Sequence, residues 1–190
     1  MQADTHYATF SRRLAAGIVD FVLHALLTFS VGWIASQSKQ LAYAVLPPLW
    51  LVLLLYEPLL HARFGATVGK LAVGIRVVYV SGAKIGWRAA LLRSSVSMVI
   101  MAYWVYCVAA SIYSLQDSDF QGQGWSSLFQ LVRPHFPESY EAVEPAMGLW
   151  FWSEFLTMLF NSKRRAIHDF LAGTVVVRAA TSASRIGRSA

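Results

Sequence analysis

The chain has 190 residues, 56% of them hydrophobic and only 14% charged, and a formal net charge of +6. Soluble globular domains carry about 25% charged residues. That deficit, with a mean hydropathy of +0.48, excludes a disordered chain, a coiled coil and an ordinary soluble enzyme, and it points to a membrane. The single cysteine, Cys107, has no partner for an intrachain disulfide, so cysteine usage assigns no redox compartment.

Four stretches are nearly free of charge. Residues 14–38 carry only Asp20, residues 40–62 only Glu57, residues 94–116 none, and residues 145–162 only Glu154. About 20 apolar residues cross the hydrocarbon core as a helix, so the pattern predicts an all-α integral membrane protein with a bundle of four spans. The fourth stretch is the shortest. The first is too long for a signal peptide, contains Asp20 and His24, and lacks a persuasive cleavage site, so it is expected to remain as a helix. Pro47 and Pro48 predict a bend in the second span.

Basic residues orient the spans. Arg12 and Arg13 precede the first, six Lys/Arg lie between the second and third, and six follow the fourth; only Lys39 and Arg133 fall in the other two loops. The positive-inside rule then puts both termini in the cytoplasm of an inner-membrane protein. These bases hug membrane edges, which suits headgroup contact and excludes a nucleic-acid role. Residues 117–144 are expected outside, as a partly ordered flap with aromatic residues at the interface.

Residues 71–80 and 173–178 are rich in β-branched side chains, and they predict a short cytoplasmic two-stranded ribbon. Residues 85–93 read as a short amphipathic helix lying in the interface before the third span. The membrane domain covers residues 1–178, and residues 179–190 read as a flexible cytoplasmic tail.

The intramembrane acids carry the functional expectation. At 1.5 Å per residue, Asp20 lies roughly 9 Å, Glu57 roughly 8 Å and Glu154 roughly 11 Å from the cytoplasmic edge. Arg13, Gly17, Asp20, His24 and Thr28 share one face of the first helix. Asp20 is expected to pair with Lys70 or Arg164, and Arg13 with Asp169. Glu57 and His61 repeat the four-residue spacing on the second span.

Other chemistry is excluded by spacing. Residues 65–70 have three residues between their glycines and Leu71 after Lys70, so they do not form a phosphate-binding P-loop. No Cys/His cluster has zinc spacing, no nucleophile–base arrangement stands out, and no metal, cofactor or enzymatic activity is expected.

Three blocks, taken in order, resemble the RDD family of membrane proteins. The first runs from Arg13 to Asp20. The second is Gly65-Ala66-Thr67-Val68-Gly69-Lys70. The third, His168-Asp169-Phe170-Leu171-Ala172-Gly173-Thr174, leads into a valine run. The resemblance implies that Arg13, Asp20 and Asp169 are the residues for which the family is named, and that Gly65, Thr67, Gly69, Lys70, His168, Gly173 and Thr174 are motif positions. It also implies a multi-span protein in the inner membrane. Transport is proposed for the family, with some members linked to Na⁺/H⁺ exchange and others to larger assemblies. The expected function is therefore exchange of Na⁺, Li⁺ or K⁺ against H⁺, with Asp20, Glu57, Glu154 and His24 as ion or proton carriers. The alternative is a non-catalytic scaffold or assembly subunit. Four helices enclose little, so a homo-oligomer or a larger membrane complex is expected.

Overall fold

A computed structural model of the chain describes residues 7–120, 124–161 and 163–179; most of the tail expected over 179–190, and Ser162 at the end of the fourth stretch, lie outside the described residues. Two long helices, α1 (Phe10–Ala35) and α2 (Lys39–Phe64), form a hairpin and are followed by a short helix α3 (Val68–Ala72) and strand β1 (Ile75–Tyr79). A third long helix, α4 (Trp87–Ser114), leads through the short helix α5 (Trp125–Val132) to α6 (Ser139–Leu159), a short helix α7 (Ile167–Leu171) and strand β2 (Thr174–Arg178).

Local chemistry sets these boundaries. Thr9, Ser38 and Thr67 cap α1, α2 and α3, each accepting an amide hydrogen bond through its side chain, which satisfies a donor that the first helical turn leaves free. Gly65 ends α2 with φ 71°, a left-handed conformation that only glycine adopts without strain. Pro47, Pro48 and Pro58 all lie inside α2, which remains one helix; membrane helices tolerate such residues where neighbours satisfy the freed carbonyls.

Among the described residues three helices, α1, α2 and α4, are long and apolar enough to cross a membrane. The fourth expected stretch corresponds to α6, which starts earlier, at Ser139, and also takes in Glu141 and Glu144. The separate amphipathic helix expected over 85–93 is corrected: from Trp87 onward these residues are the first turns of α4 itself. Residues 87–114 contain neither Gly nor Pro, so nothing ends the helix where the charge stops.

The polarity of the bundle is inverted. Phe21, Leu26, Val99, Tyr113 and Trp152 are exposed, whereas His61, Thr67, Arg93 and Asp169 are buried. At one end, Leu46, Leu49, Trp50, Val108 and Ile112 form an apolar core with Leu128 and Val132 of α5. The other end holds the charges, the sheet, α3 and α7, and is called here the charged end.

The expected ribbon is present. β1 and β2 pair antiparallel, from Ile75 opposite Arg178 to Tyr79 opposite Thr174. A two-stranded ribbon alone is marginal. This one gains bridges from Tyr7 to Val177 and from Val78 to Lys84, and it packs on Ala16, Ile85 and Ala89.

The two halves of the chain repeat one another at this end. Each helix–glycine–strand unit recurs 99 positions later: Val68–Ala72 becomes Ile167–Leu171, Gly74 becomes Gly173, and Ile75–Tyr79 becomes Thr174–Arg178. Gly74 and Gly173 have φ 67° and 66°. Gly65, left-handed at 71°, corresponds to Arg164, left-handed at 50°. Val80 donates to the Gly173 carbonyl at 3.1 Å, and the equivalent Ala179 donates to the Gly74 carbonyl at 2.8 Å. A local two-fold axis therefore passes through the central pair, Val77 and Val176.

Much of the loop expected as a flap is docked. The Trp125 indole lies over Gly32 of α1, with its Cδ2 2.9 Å from where a β-carbon on Gly32 would sit. The Gly124 amide donates to Ser36 Oγ at 3.0 Å. Gly32→Leu should expel the indole and undock α5. Amide exchange over residues 125–132 should then rise by about tenfold or more, with α2 unchanged, as expected for loss of a local rather than a global contact.

Candidate functional site

The site is built at the charged end from α1, α2, α3, α4, α6 and α7. Its centre is Asp169 on α7, which is fully buried. Arg13 Nη2 meets its Oδ2 at 2.5 Å, and Arg93 Nη1 meets its Oδ1. The Ala166 amide donates to Oδ2 at 2.9 Å and Thr174 Oγ1 to Oδ1 at 3.2 Å. Arg93 Nη1 also donates to Thr174 Oγ1 at 2.8 Å. Arg13 Nη1 holds the Arg164 carbonyl at 2.7 Å, and Arg165 Nη2 holds the carbonyl of Asp169 at 2.9 Å.

The electrostatics follow. Burial alone would push the Asp169 carboxyl up; the guanidiniums of Arg93 and Arg13, together with His168, outweigh it and hold the group well below the usual carboxylate range. The expected pairing of Arg13 with Asp169 is present. Arg93 completes it, although the sequence showed Arg93 only as one more basic residue at a membrane edge.

Asp20 departs from expectation. It forms no ion pair with Lys70 or Arg164; among the described residues its partners are uncharged. Tyr56 Oη and Thr67 Oγ1 donate to it at 2.7 and 2.6 Å, and the Gly69 amide at 2.8 Å. The acid of α1 thus receives the N-terminal end of α3. Glycine is required at position 69, where a β-carbon would run into the Ala16 carbonyl and the Asp20 carboxylate. The Gly-x-Thr-x-Gly-Lys block is therefore a helix stop, a cap and a close helix contact. Tyr56 was not visible as a partner, because nothing separates it from the other aromatic residues of an apolar span.

Lys70 turns to the other side, 3.9 Å from Glu57 Oε1, which also lies 3.6 Å from His61 Nδ1. Burial pushes the Lys70 ammonium down, and Glu57 pulls it back up in part. Glu154 on α6 pairs with His168 Nδ1, and His168 Nε2 lies 3.8 Å from Asp169.

Two cavities adjoin these residues. One, of about 140 Å³, is lined by Arg13, Asp20, Lys70, Arg93, Glu154 and His168 among others. The second, of about 250 Å³, includes His24, Glu57, Ser94 and Ser97 in its wall. Of the proposed ion carriers, Asp20 and Glu154 therefore share one cavity, while Glu57 and His24 share the next. Gly173, in the left-handed turn before β2, and Gly65, at the end of α2, shape the backbone. Among the described residues no group of three or more His, Cys, Asp or Glu is placed to hold a metal.

Apolar faces turned outward and charges turned inward define a helical membrane protein. The RDD family model matches residues 7–173, and the chain belongs to the RDD family. No curated protein and no solved structure matches it.

Two substitutions test the architecture. Gly69→Ala should lift α3 off α1 and cost about 2 kcal/mol or more, read as a lower melting temperature in detergent. Asp169→Asn should cost about 3–5 kcal/mol, because it leaves buried guanidiniums without a counter-charge. The folded Asp169 carboxyl titrates below the unfolded one. Its stabilisation is therefore complete above about pH 4 and is lost as the pH falls further toward the folded value. The acid-side fall in melting temperature should flatten in Asp169→Asn.

Proposed function

We propose that this RDD protein exchanges a small cation, Na⁺, Li⁺ or K⁺, for protons across the inner membrane. In this reading α6 is a tilted fourth span, both termini are cytoplasmic, and the charged end faces the cytoplasm. The observation that carries it is a pair of largely apolar cavities that each hold titratable side chains, one lined by Asp20 and Glu154 and the next by His24 and Glu57. Carboxylate oxygens suit hard cations. Among the described residues Glu57 is held only by ion pairs of 3.6 and 3.9 Å and Glu154 Oε1 has no hydrogen-bond partner, which leaves these carboxylates free to take one. Asp20 is bound by three donors and serves to position α3. The apolar core around Leu46, Trp50 and Ile112 closes the opposite end, so access is one-sided. A homo-oligomer would supply the protein mass that four spans lack.

A second reading, a scaffold or assembly subunit, is favoured by how fully Asp20 and Asp169 are committed to internal contacts. Proteoliposomes separate the two. On adding Na⁺, Li⁺ or K⁺, the wild type should show a cation-dependent pH change. Glu57→Gln should reduce it by about tenfold or more, and Asp20→Asn should lower protein stability first. Absence of flux from folded, reconstituted wild type overturns exchange and leaves the assembly reading.

A further inference from the structure

The smaller cavity lies between the two halves of the chain. Arg13, Asp20 and Lys70 come from the first half; Arg93, Glu154 and His168 come from the second. In repeat-built transporters, substrates bind at the interface of the repeats, so the groups left unpaired here have a bearing on what the cavity holds.

Among the described residues, three groups in this wall have hydrogen-bonding capacity that no protein group uses. Arg93 is 2% exposed, yet its Nε and Nη2 have no hydrogen-bond partner; Nη1 alone serves Asp169 and Thr174. Nε–H and Nη2–H form one edge of the guanidinium, a fork that matches two oxygens of a planar or tetrahedral oxyanion. Lys70 Nζ reaches only Glu57, at 3.9 Å, beyond hydrogen-bond length. Glu154 Oε1 is buried without a donor. An unmet buried polar group is costly, and Arg93 presents two such atoms on the same edge.

We propose that this cavity binds a small singly charged oxyanion that retains at least one O–H, of the hydrogen carbonate or dihydrogen phosphate type. Two of its oxygens lie on the Arg93 Nε–Nη2 edge, Lys70 donates to one of them, and its O–H donates to Glu154 Oε1. The carboxylates of Asp20 and Glu154 disfavour a second negative charge. A carboxylate without an O–H leaves Glu154 unmet, and a halide uses only part of the fork. The phosphodiester of a lipid headgroup offers the same oxygens but no O–H. The site shares Glu154 with the cation-exchange reading but is tested apart from it, because binding is measured without flux.

The test is calorimetry on the full chain in detergent, at one pH where both probes carry a single charge. The titrants are hydrogen carbonate, dihydrogen phosphate, acetate, chloride and a short-chain phosphatidylglycerol. Binding of the first or second, in preference to acetate and chloride, is expected. Lys70→Gln should weaken it by about tenfold or more, as should Arg93→Lys, which keeps the charge facing Asp169 but loses the fork. Glu154→Gln should erase the preference over acetate. An unshifted thermal melt for Lys70→Gln shows that the loss is not unfolding. Equal response to all anions, no response, or binding indifferent to both Lys70→Gln and Arg93→Lys overturns the proposal. Preferential binding of phosphatidylglycerol overturns it in favour of a headgroup site.

Discussion

Asp169 is the constraint on which the charged end depends. Its carboxylate is buried, and the desolvation of a charge is repaid only when opposite charges and hydrogen bonds surround it. Here they come from four places: Arg13 on α1, Arg93 on α4, the Ala166 amide that opens α7, and Thr174 at the start of β2. One carboxylate therefore fixes the relative positions of α1, α4, α7 and the sheet. Neither guanidinium is redundant, because each also carries a second contact, Arg13 to the Arg164 carbonyl and Arg93 to Thr174. A lysine at either place would supply the charge but not the fork.

The two-fold relation between the halves gives this centre a counterpart of opposite sign. Lys70 and Asp169 occupy the same position in the two short helices, 99 residues apart. In the first half an acid on the long helix, Asp20, receives the short helix through a backbone amide and a hydroxyl. In the second half a base on the long helix, Arg93, receives the short helix through its acid. The backbone plan is preserved while the charges are exchanged. The cavity between these halves is lined by both signs, Arg13, Lys70 and Arg93 with Asp20 and Glu154, and so offers a ligand both donors and acceptors.

Much of this was legible in the sequence because membranes impose coarse rules. Charge-free runs marked the three long helices, β-branched runs marked both strands, and the bases at Arg13 and Arg93 stood where the apolar runs begin. The pairing of Arg13 with Asp169 followed from two charges that needed partners at one edge. An acid in an apolar helix calls for a base, whereas the N-terminal end of α3, with Thr67 and the Gly69 amide, meets Asp20 instead. The continuity of α4 is hidden because the charges stop at Arg93 while no helix-breaking residue interrupts residues 87–114. The repeat left almost no trace: from Gly65 to Val80 only Gly74, Val77 and Val78 recur unchanged 99 positions later, the residues that the left-handed turn and the strand pair require.

The halves are clasped at both ends, but not equally. At the charged end they share the strand pair and the buried Arg13–Asp169 contact. At the opposite end the polar contacts run from Lys39 and Gln40: the Lys39 amide to Asp117 at 3.1 Å, Lys39 Nζ to the Tyr113 and Leu115 carbonyls at 3.0 and 2.5 Å, and Gln40 to Asp117 at 3.3 Å. Most of the clasp there is apolar: Leu46, Leu49 and Trp50 of α2 pack with Val108 and Ile112 of α4 and with Leu128 and Val132 of α5, and the Trp125 indole is seated on Gly32. Apolar packing is non-directional, whereas a buried ion pair is favourable only while each charge keeps its partner in good geometry. The charged end therefore sets the register and orientation of the two halves, and the apolar end supplies the buried area that holds them together.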